Sequence, residues 1–409
     1  MKILIVSQYF WPEGFRINDV VRSLVERGVK VDVLTGKPNY PEGAFFPGYR
    51  GWGCQTEQLL GATVYRLPMV ARGKRSAWRL ISNYLSFVIS GMLFAPWILR
   101  RQHYDVVFVH GMSPILQAIP ALAIGSLKRL KVIVWVQDLW PESLEATGYI
   151  RSPRVLGWVE QVVRLIYRHS DLLLVQSKGF EARVSALAPG KPVVYYPNSV
   201  ESMFCDPPDA PLPAVAALDE GFPVMFAGNI GAGQAVEVIV EAAALLIDYP
   251  AIRFVVVGNG SRWEWMREQV QQRGLTNLHL PGRFPVETMP GLMQKASALL
   301  VSLADQPIFA ATVPNKVQAY LAAGRPILAC LNGEGARLVA EAAAGLTVPA
   351  EDSQGLATAV LRLFQMPAEE REAMGANGRR YFKEHFDHDQ LIDQLIEHFR
   401  ALSKVERVN

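Results

Sequence analysis

Two doubly wound α/β domains, each a mostly parallel sheet covered by helices on both faces, are the architecture this sequence predicts. Three observations carry the prediction. The chain has 409 residues, more than one ordinary core takes up. Short continuous apolar runs, which suit strands buried on both faces, alternate with amphipathic stretches. That alternation occurs twice, on either side of a stretch rich in Pro, Asp and Ala.

The first series of runs is Ile3 to Val6, Val29 to Leu34, Val106 to Val109, Val132 to Val136 and Leu172 to Val175. Between the first two, residues 18–27 set Val20, Val21, Leu24 and Val25 on one helical face, and Gly28 stands where a helix C-terminus wants a residue free to take positive φ. The second series is Val224 to Ala227, Phe254 to Val257, Leu299 to Leu303 and Pro326 to Ala329, with a helix over 236–246. The expected boundaries are residues 1–205 for the first domain, 206–221 for a linker and 222–387 for the second domain. The 388–409 tail holds an amphipathic helix from Gln390 to Leu402, expected to pack back on the first domain. Ligands of such sheets sit beyond the carboxyl ends of the strands. The two domains are therefore expected to face one another across a cleft, with their chemistry just after each strand.

Composition narrows the function classes. Half the residues are hydrophobic and 19% are charged, which excludes a disordered chain. Cys54, Cys205 and Cys330 are odd in number, far apart and without metal-ligand spacing, so they read as reduced thiols in a cytosolic protein. The opening run from Met1 to Ser7 reads as a buried strand and not as a secretory signal. The net charge of +3 hides an uneven distribution. No acidic residue lies between Glu57 and Asp105, while Arg66, Arg72, Lys74, Arg75, Arg79, Arg100 and Arg101 do. A local basic stretch points to an anionic partner or, more plainly, to a solvated basic surface.

Several post-strand segments carry candidate chemistry. After the first strand, Gly14 and Arg16 precede a helix, where backbone N–H groups can meet an anion; a plain tight turn fits Gly14 equally. Neither a Rossmann dinucleotide fingerprint nor a P-loop occurs. In the second half, Gly228-Asn229-Ile230-Gly231-Ala232-Gly233-Gln234 follows a strand, and Asn229 and Gln234 offer neutral donors to a diphosphate. Gly258-Asn259-Gly260 follows the next strand. Gly282-Arg283-Phe284-Pro285 ends another, where a base could stack or bond to exposed backbone. In Thr312-Val313-Pro314-Asn315-Lys316, Pro314 starts a helix and puts Lys316 in its first turn. A cation there opposes the helix dipole unless an anion binds beside it.

The glycine-rich loop, the Pro-Asn-Lys helix, the Tyr320 to Ile327 run and Val348-Pro349-Ala350-Glu351-Asp352 together resemble glycosyltransferase family 4. The likeness spans nearly the whole chain. Ser7-Gln8-Tyr9-Phe10-Trp11-Pro12-Glu13, residues 35–43 and Gln137-Asp138-Leu139-Trp140-Pro141-Glu142-Ser143 are similar to a bacterial branch that includes L-fucosamine transferases of O-antigen and capsule assembly. The resemblance implies the GT-B fold and transfer with retention of configuration, with no metal or other cofactor. It also implies Gly14, Arg16, Gly228, Asn229, Gln234, Gly282, Arg283, Phe284, Thr312, Val313 and Lys316 as the donor-binding set. The chain departs from the family at Ala311 and Ala319, where many members carry glutamates, and at Asn229 and Gln234, where a cationic pair usually serves the diphosphate.

Asp138 and Glu142 follow a strand of the first domain and are the expected catalytic carboxylates, orienting an acceptor hydroxyl or taking its proton. Asp138 reads equally as a helix cap, Trp140 as a sugar platform or core, and His110 as a structural histidine. Leu80 to Leu99 is uncharged and long enough to span a bilayer. The polar stripe of Ser82, Asn83, Ser86 and Ser90, with Pro96 interrupting the far end, favours a helix lying on an anionic membrane through residues 72–101; a helix buried in the first domain is the alternative.

The expected activity is transfer of an N-acetylated (deoxy)hexose such as N-acetyl-L-fucosamine from a UDP-sugar to a polyprenyl-diphosphate-linked sugar in O-antigen, capsule or exopolysaccharide biosynthesis. The expected location is the cytoplasm, peripherally attached to the inner membrane, with no nucleic acid partner. A UDP-sugar epimerase of the same fold and a non-catalytic nucleotide-sugar-binding protein are the rival readings.

Overall fold

A computed structural model describes residues 1–73, 76–146, 152–200, 202–204 and 211–404. Lys74, Arg75, Cys205, residues 206–210 of the expected linker and residues 405–409 lie outside the described residues. The chain divides into two units, Met1–Pro197 together with the stretch from Asp389 onward, and Asn198–His388.

Unit 1 runs β1 (Lys2–Val6), α1 (Ile17–Glu26), β2 (Lys30–Thr35), β3 (Gln55–Leu59), β4 (Ala62–Arg66), α2 (Ala77–Ile98) and β5 (Val106–Gly111). It continues α3 (Ala118–Lys128), β6 (Val132–Val136), α4 (Glu142–Ala146), α5 (Pro153–His169), β7 (Leu172–Val175), α6 (Glu181–Leu187) and β8 (Val193–Tyr195). Its eight strands lie in the order β3-β4-β2-β1-β5-β6-β7-β8. All neighbours are parallel except β3 and β4, which form an antiparallel edge. The central strands are buried along their length, as their unbroken Val, Ile and Leu runs require.

Unit 2 runs α7 (Ala216–Asp219), β9 (Phe222–Asn229), α8 (Glu237–Leu245), β10 (Ile252–Asn259), α9 (Trp263–Arg273), β11 (Leu278–Gly282), α10 (Met289–Lys295) and β12 (Ala298–Ser302). Then come α11 (Pro307–Ala311), α12 (Asn315–Ala323), β13 (Ile327–Cys330), α13 (Glu334–Glu341), β14 (Gly345–Val348), α14 (Ser353–Gln365) and α15 (Ala368–His385). The six-stranded order β11-β10-β9-β12-β13-β14 is parallel throughout. Separate apolar cores form on its two faces.

The last helix, α16 (His388–Lys404), belongs to unit 1. Leu391, Ile392, Leu395, Ile396 and Phe399 complete the core under β1, β2, β5 and β6. Arg27 pairs with Asp389 and Asp393 across the seam, and the Tyr196 hydroxyl donates to the Leu391 carbonyl at 2.8 Å.

Helix α2 turns its polar stripe into unit 1 except for Ser82, which is exposed. Asn83 and Ser90 face inward and are buried. Asn83 Nδ2 donates to the Val70 carbonyl at 2.6 Å, and Ser86 Oγ accepts from Val70 N–H. Exposed instead are Trp78, Ile81, Leu85, Ile89, Met92, Leu93, Phe94 and Trp97. Pro96 does not end the helix, which continues to Ile98. By length and composition Trp78–Ile98 could cross a bilayer. The same residue faces decide against the fully buried alternative, since Trp78 is 80% and Trp97 65% exposed. On α5, Val155, Trp158 and Leu165 repeat the pattern at helical spacing.

Candidate active site

In unit 2, the carboxyl ends of β9 and β10 come together through glycine. Gly258 pairs with Gly228 in the parallel register, and a Cβ at Gly258 would lie 1.8 Å from the Gly228 carbonyl oxygen. Gly228 has φ +133°, and a Cβ there would come within 2.8 Å of Lys316 Cε. Two bare backbones thus leave room for one lysine. Helix α12 begins at Asn315 after Pro314 and delivers Lys316 in its first turn. The Tyr320 hydroxyl, accepting from Ala227 N–H at 3.0 Å, ties this helix to β9.

Lys316 as a whole is half-buried, but its ammonium is enclosed, 3.7 Å from the Phe226 ring centroid and donating to Gln234 Oε1 at 2.6 Å. Desolvation lowers its pKa to about 7. Among the described residues no carboxylate pairs with it. Gln234, expected to face a diphosphate, spends its amide oxygen on this lysine, and its carbonyl accepts from Ser302 Oγ at 2.6 Å. Its amide nitrogen remains the donor it can offer a ligand. Asn229 stands beside Gly231, where a Cβ would meet its Nδ2 at 2.7 Å.

The other expected donor residues sort unevenly. Gly282 and Arg283 line a cavity of about 200 Å³ with Gly258, Asn259, Gly260, Trp263 and Glu264. It shares Gly258 with the Lys316 cradle and lies at the ends of β10 and β11. Phe284 packs instead against the core. The Thr312 hydroxyl donates to the Ile308 carbonyl at 2.7 Å, and Val313 is buried. Their side chains are committed to the fold, leaving only main chain for a ligand. Ala319 is likewise buried, and Gln318 beside it is fully buried with neither amide atom bonded.

In unit 1, Asp138 follows β6 and is held from the loop after β5. Its Oδ2 accepts from Ser113 N–H at 3.0 Å and from Ser113 Oγ at 2.8 Å, while Trp140 Nε1 donates to the same Ser113 Oγ at 2.8 Å. Asp138 caps no helix here, because α4 starts at Glu142 and the carboxylate turns to Ser113. Trp140 is buried, as the core alternative has it, and its indole N–H donor orients Ser113. Glu142 has a different partner set from the one expected of a catalytic acid. Arg183 donates to it at 2.5 Å and to Glu160 at 2.8 Å, so it belongs to an ion-pair network joining α4, α5 and α6. His110 is buried, with burial and then the charge of Arg16 holding its pKa at about 3. It is neutral at working pH and unsuited to proton transfer there.

The loops after β1 and β2 are locked together by Glu13 and Arg66. Sequence reasoning gave Glu13 no physical role and placed Arg66 in an anion-facing or solvated basic stretch, but Arg66 is buried. Glu13 Oε1 accepts from Asn39 N–H and Tyr40 N–H, each at 2.7 Å, and Oε2 accepts from Phe10 N–H at 3.3 Å. Burial raises the Glu13 pKa to about 7 against the lowering effect of those bonds. Arg66, fully buried, pairs with Glu57 and donates to the carbonyls of Trp11 and Gly36. Gly14 is exposed with open space around it, so the fold itself does not require glycine there. Arg16 stands at the position just before α1, and its side chain makes no capping hydrogen bond there. The one sequence signal for this lock was the long shared run from Ser7 to Glu13 and the 35–43 segment.

Comparison with known proteins finds a glycosyltransferase match in each unit. Residues 14–199 match the glycosyl transferase 4-like domain, and residues 221–366 match the glycosyl transferases group 1 domain. The chain is similar to the colanic acid biosynthesis glycosyl transferase WcaI of Escherichia coli (strain K12), 25% identical over 342 residues that cover 79% of this chain and 82% of that protein. Among solved structures, sucrose-phosphate synthase from Thermosynechococcus elongatus superposes with a TM-score of 0.75 at 18% identity, covering 99% of each chain. Anabaena Alr3699/HepE in complex with UDP does so with a TM-score of 0.69 at 13% identity, covering 98% of this chain and 100% of that one. The fold of those structures is shared, and each half of the chain carries a glycosyltransferase domain: the protein is a glycosyltransferase of the GT-B fold.

Proposed function

We propose that the protein transfers an N-acetylated hexose or deoxyhexose, such as N-acetyl-L-fucosamine, from a UDP-sugar to a polyprenyl-diphosphate-linked sugar. The product would serve O-antigen, capsule or exopolysaccharide assembly. The observation that carries this reading is the enclosed ammonium of Lys316, held by a neutral amide and a ring, beside backbone that only glycine permits. A cation kept apart from protein carboxylates is the partner a leaving diphosphate needs. The UDP bound by Alr3699/HepE and the colanic acid assignment of WcaI support the donor class and the pathway type.

Each unit then has one task. Unit 2 binds the nucleotide sugar, with Lys316, the Gln234 amide and Asn229 at the diphosphate and the Gly282–Arg283 cavity for the nucleoside. Unit 1 supplies Asp138, oriented by Ser113, to position the acceptor hydroxyl or take its proton. The acceptor oxygen bonds to the anomeric carbon as the bond from that carbon to the diphosphate breaks, and UDP departs. The configuration is retained and no metal takes part in this reading. The exposed Trp78 to Trp97 face of α2, followed by Arg100 and Arg101, and the matching face of α5 attach unit 1 to the cytoplasmic side of the membrane, where a lipid-linked acceptor resides.

The deciding assay incubates the pure protein with a panel of UDP-sugars, with and without polyprenyl-diphosphate-GlcNAc, and follows UDP release and product mass. UDP release that depends on the acceptor supports transfer. Interconversion of free UDP-sugars would establish an epimerase instead, and tight binding without turnover a non-catalytic partner.

A further inference from the structure

A second charged pocket opens in unit 2 at the opposite end of α12 from Lys316. Its volume is about 670 Å³. Ser297 and Pro326 in its wall immediately precede β12 and β13, so it lies at the amino ends of the strands, away from the glycine cradle. Arg325, Arg371, Arg379, Arg380 and Lys383 line it, against the carboxylates Glu372 and Glu384.

The four arginines of the pocket bond to neutral groups. Elsewhere in unit 2, Arg253, Arg262, Arg273 and Arg337 each pair with a glutamate. In the pocket, Arg379 donates to the Ala323 carbonyl at 3.1 Å, Arg371 to the carbonyls of Leu363 and Met366, and Arg380 to Asn377 Oδ1 at 2.6 Å. Arg325 donates to the Gln294 carbonyl, and its buried Nε has no partner. None of the four has an ion-pair partner among the described residues. Burial, then the nearby charge of Arg379, pushes Arg325 below the ordinary arginine range, with Glu372 opposing.

The space is built into the packing. Helix α15 crosses the end of α12 so closely that a Cβ at Gly375 would lie 2.2 Å from the Gly324 carbonyl oxygen. A Cβ at Gly324, where φ is +67°, would lie 2.9 Å from Arg379 Nε. Gln294 Nε2 and Arg379 both donate to the Ala323 carbonyl, covering the negative end of α12 that would otherwise repel an anion.

We propose that this pocket binds a phosphate-bearing anion, separately from the donor nucleotide. A phosphate can accept from several guanidinium forks at once and supplies the missing counter-charge. The volume suits a phosphorylated small molecule larger than the bare ion. A free phosphate ester and a lipid phosphate headgroup share this chemistry, and the test separates them.

Full-length protein is titrated with inorganic phosphate and inorganic diphosphate by calorimetry and by thermal shift. It is also floated with phosphatidylcholine vesicles with and without phosphatidylglycerol. The expected result is saturable binding by the wild type and by Lys316→Ala, weakened about tenfold or more by Arg379→Ala with Arg380→Ala, as loss of charge-assisted bonds implies. Arg380→Glu, at an exposed side chain, tests the same site with less risk to the fold, and Arg380→Lys should retain most of the binding. If the arginine variants lose free phosphate binding but float as the wild type does, the ligand is a soluble phosphate ester. If they lose flotation as well, the source is the lipid headgroup. The proposal is overturned if the wild type shows no saturable phosphate binding, if only Lys316→Ala abolishes it, or if the arginine variants bind as the wild type does.

Discussion

Lys316 Nζ donates to Gln234 Oε1 at 2.6 Å and lies 3.7 Å from the centre of the Phe226 ring, so neutral groups alone hold this ammonium among the described residues. A diphosphate bound there would stabilise the protonated lysine. Replacement by alanine should lower kcat/KM about 100-fold or more, the size of effect seen when a donor to developing negative charge is removed. Steady-state kinetics with the donor identified in the acceptor assay checks this.

The same lysine predicts a pH dependence with a definite sign. Its pKa falls from 10.5 to about 7 on folding. Between those values the unfolded chain holds a proton that the native ligand-free protein has released, so stability rises with pH across that window. Lys316→Met should remove that rise in urea unfolding measured from pH 7 to pH 10. Donor affinity should move the other way, weakening above about pH 7 as the ammonium is lost.

Glu13 predicts the opposite slope at lower pH. Burial raises its pKa from 4.5 to about 7. In that interval the native protein keeps a proton the unfolded chain has lost, and stability falls as pH rises. Glu13→Gln, which stays neutral, should flatten this part of the unfolding profile while leaving the pH 7 to pH 10 rise in place.

The Trp140–Ser113–Asp138 relay separates catalysis from positioning. Asp138→Asn should cut kcat about 100-fold with little change in donor KM, the loss expected of a positioned acid–base group. Ser113→Ala leaves the carboxylate in place with one hydroxyl fewer, and its cost should be nearer tenfold, the worth of one hydrogen bond to a charged group. Equal losses in the two variants would count against Asp138 as the reacting group.

The exposed aromatic face of α2 predicts reversible attachment to anionic lipid. Trp78→Ser with Trp97→Ser should reduce flotation with phosphatidylglycerol vesicles. Arg100→Gln with Arg101→Gln should weaken it by about 2 kcal/mol at low salt, at roughly 1 kcal/mol per basic residue. Raised ionic strength should reproduce the second effect but not the first.

Much of this architecture was readable because the central strands are near-continuous apolar runs, β1, β5, β6, β7 and β9 among them. The strands at the sheet edges were not. Gln55–Leu59 reads QTEQL with alternating half-exposed positions, and Val193–Tyr195 has only three residues, too little for a periodic signal. In the site, Lys316 was readable because Pro314 fixes the start of its helix locally. The bond from Ser113 to Asp138 joins residues 25 apart, and Arg183 reaches Glu142 across 41. No local pattern carries such pairings, so the ion pair that engages Glu142 was not legible in the sequence. The polar stripe of α2 was visible, but which way it turned depended on Val70 and Gln8 meeting Asn83.

The placement of α16 has a consequence for how the protein is made. Leu391, Ile392, Leu395, Ile396 and Phe399 are core residues of the unit whose first strand begins at Lys2. A ribosome therefore synthesises all of unit 2 before it synthesises the helix that closes unit 1. Unit 1 waits with the apolar face that α16 covers left open, so the usual order in which the N-terminal unit folds first does not apply to it. A stop codon near residue 388 would therefore damage unit 1 and leave unit 2 whole.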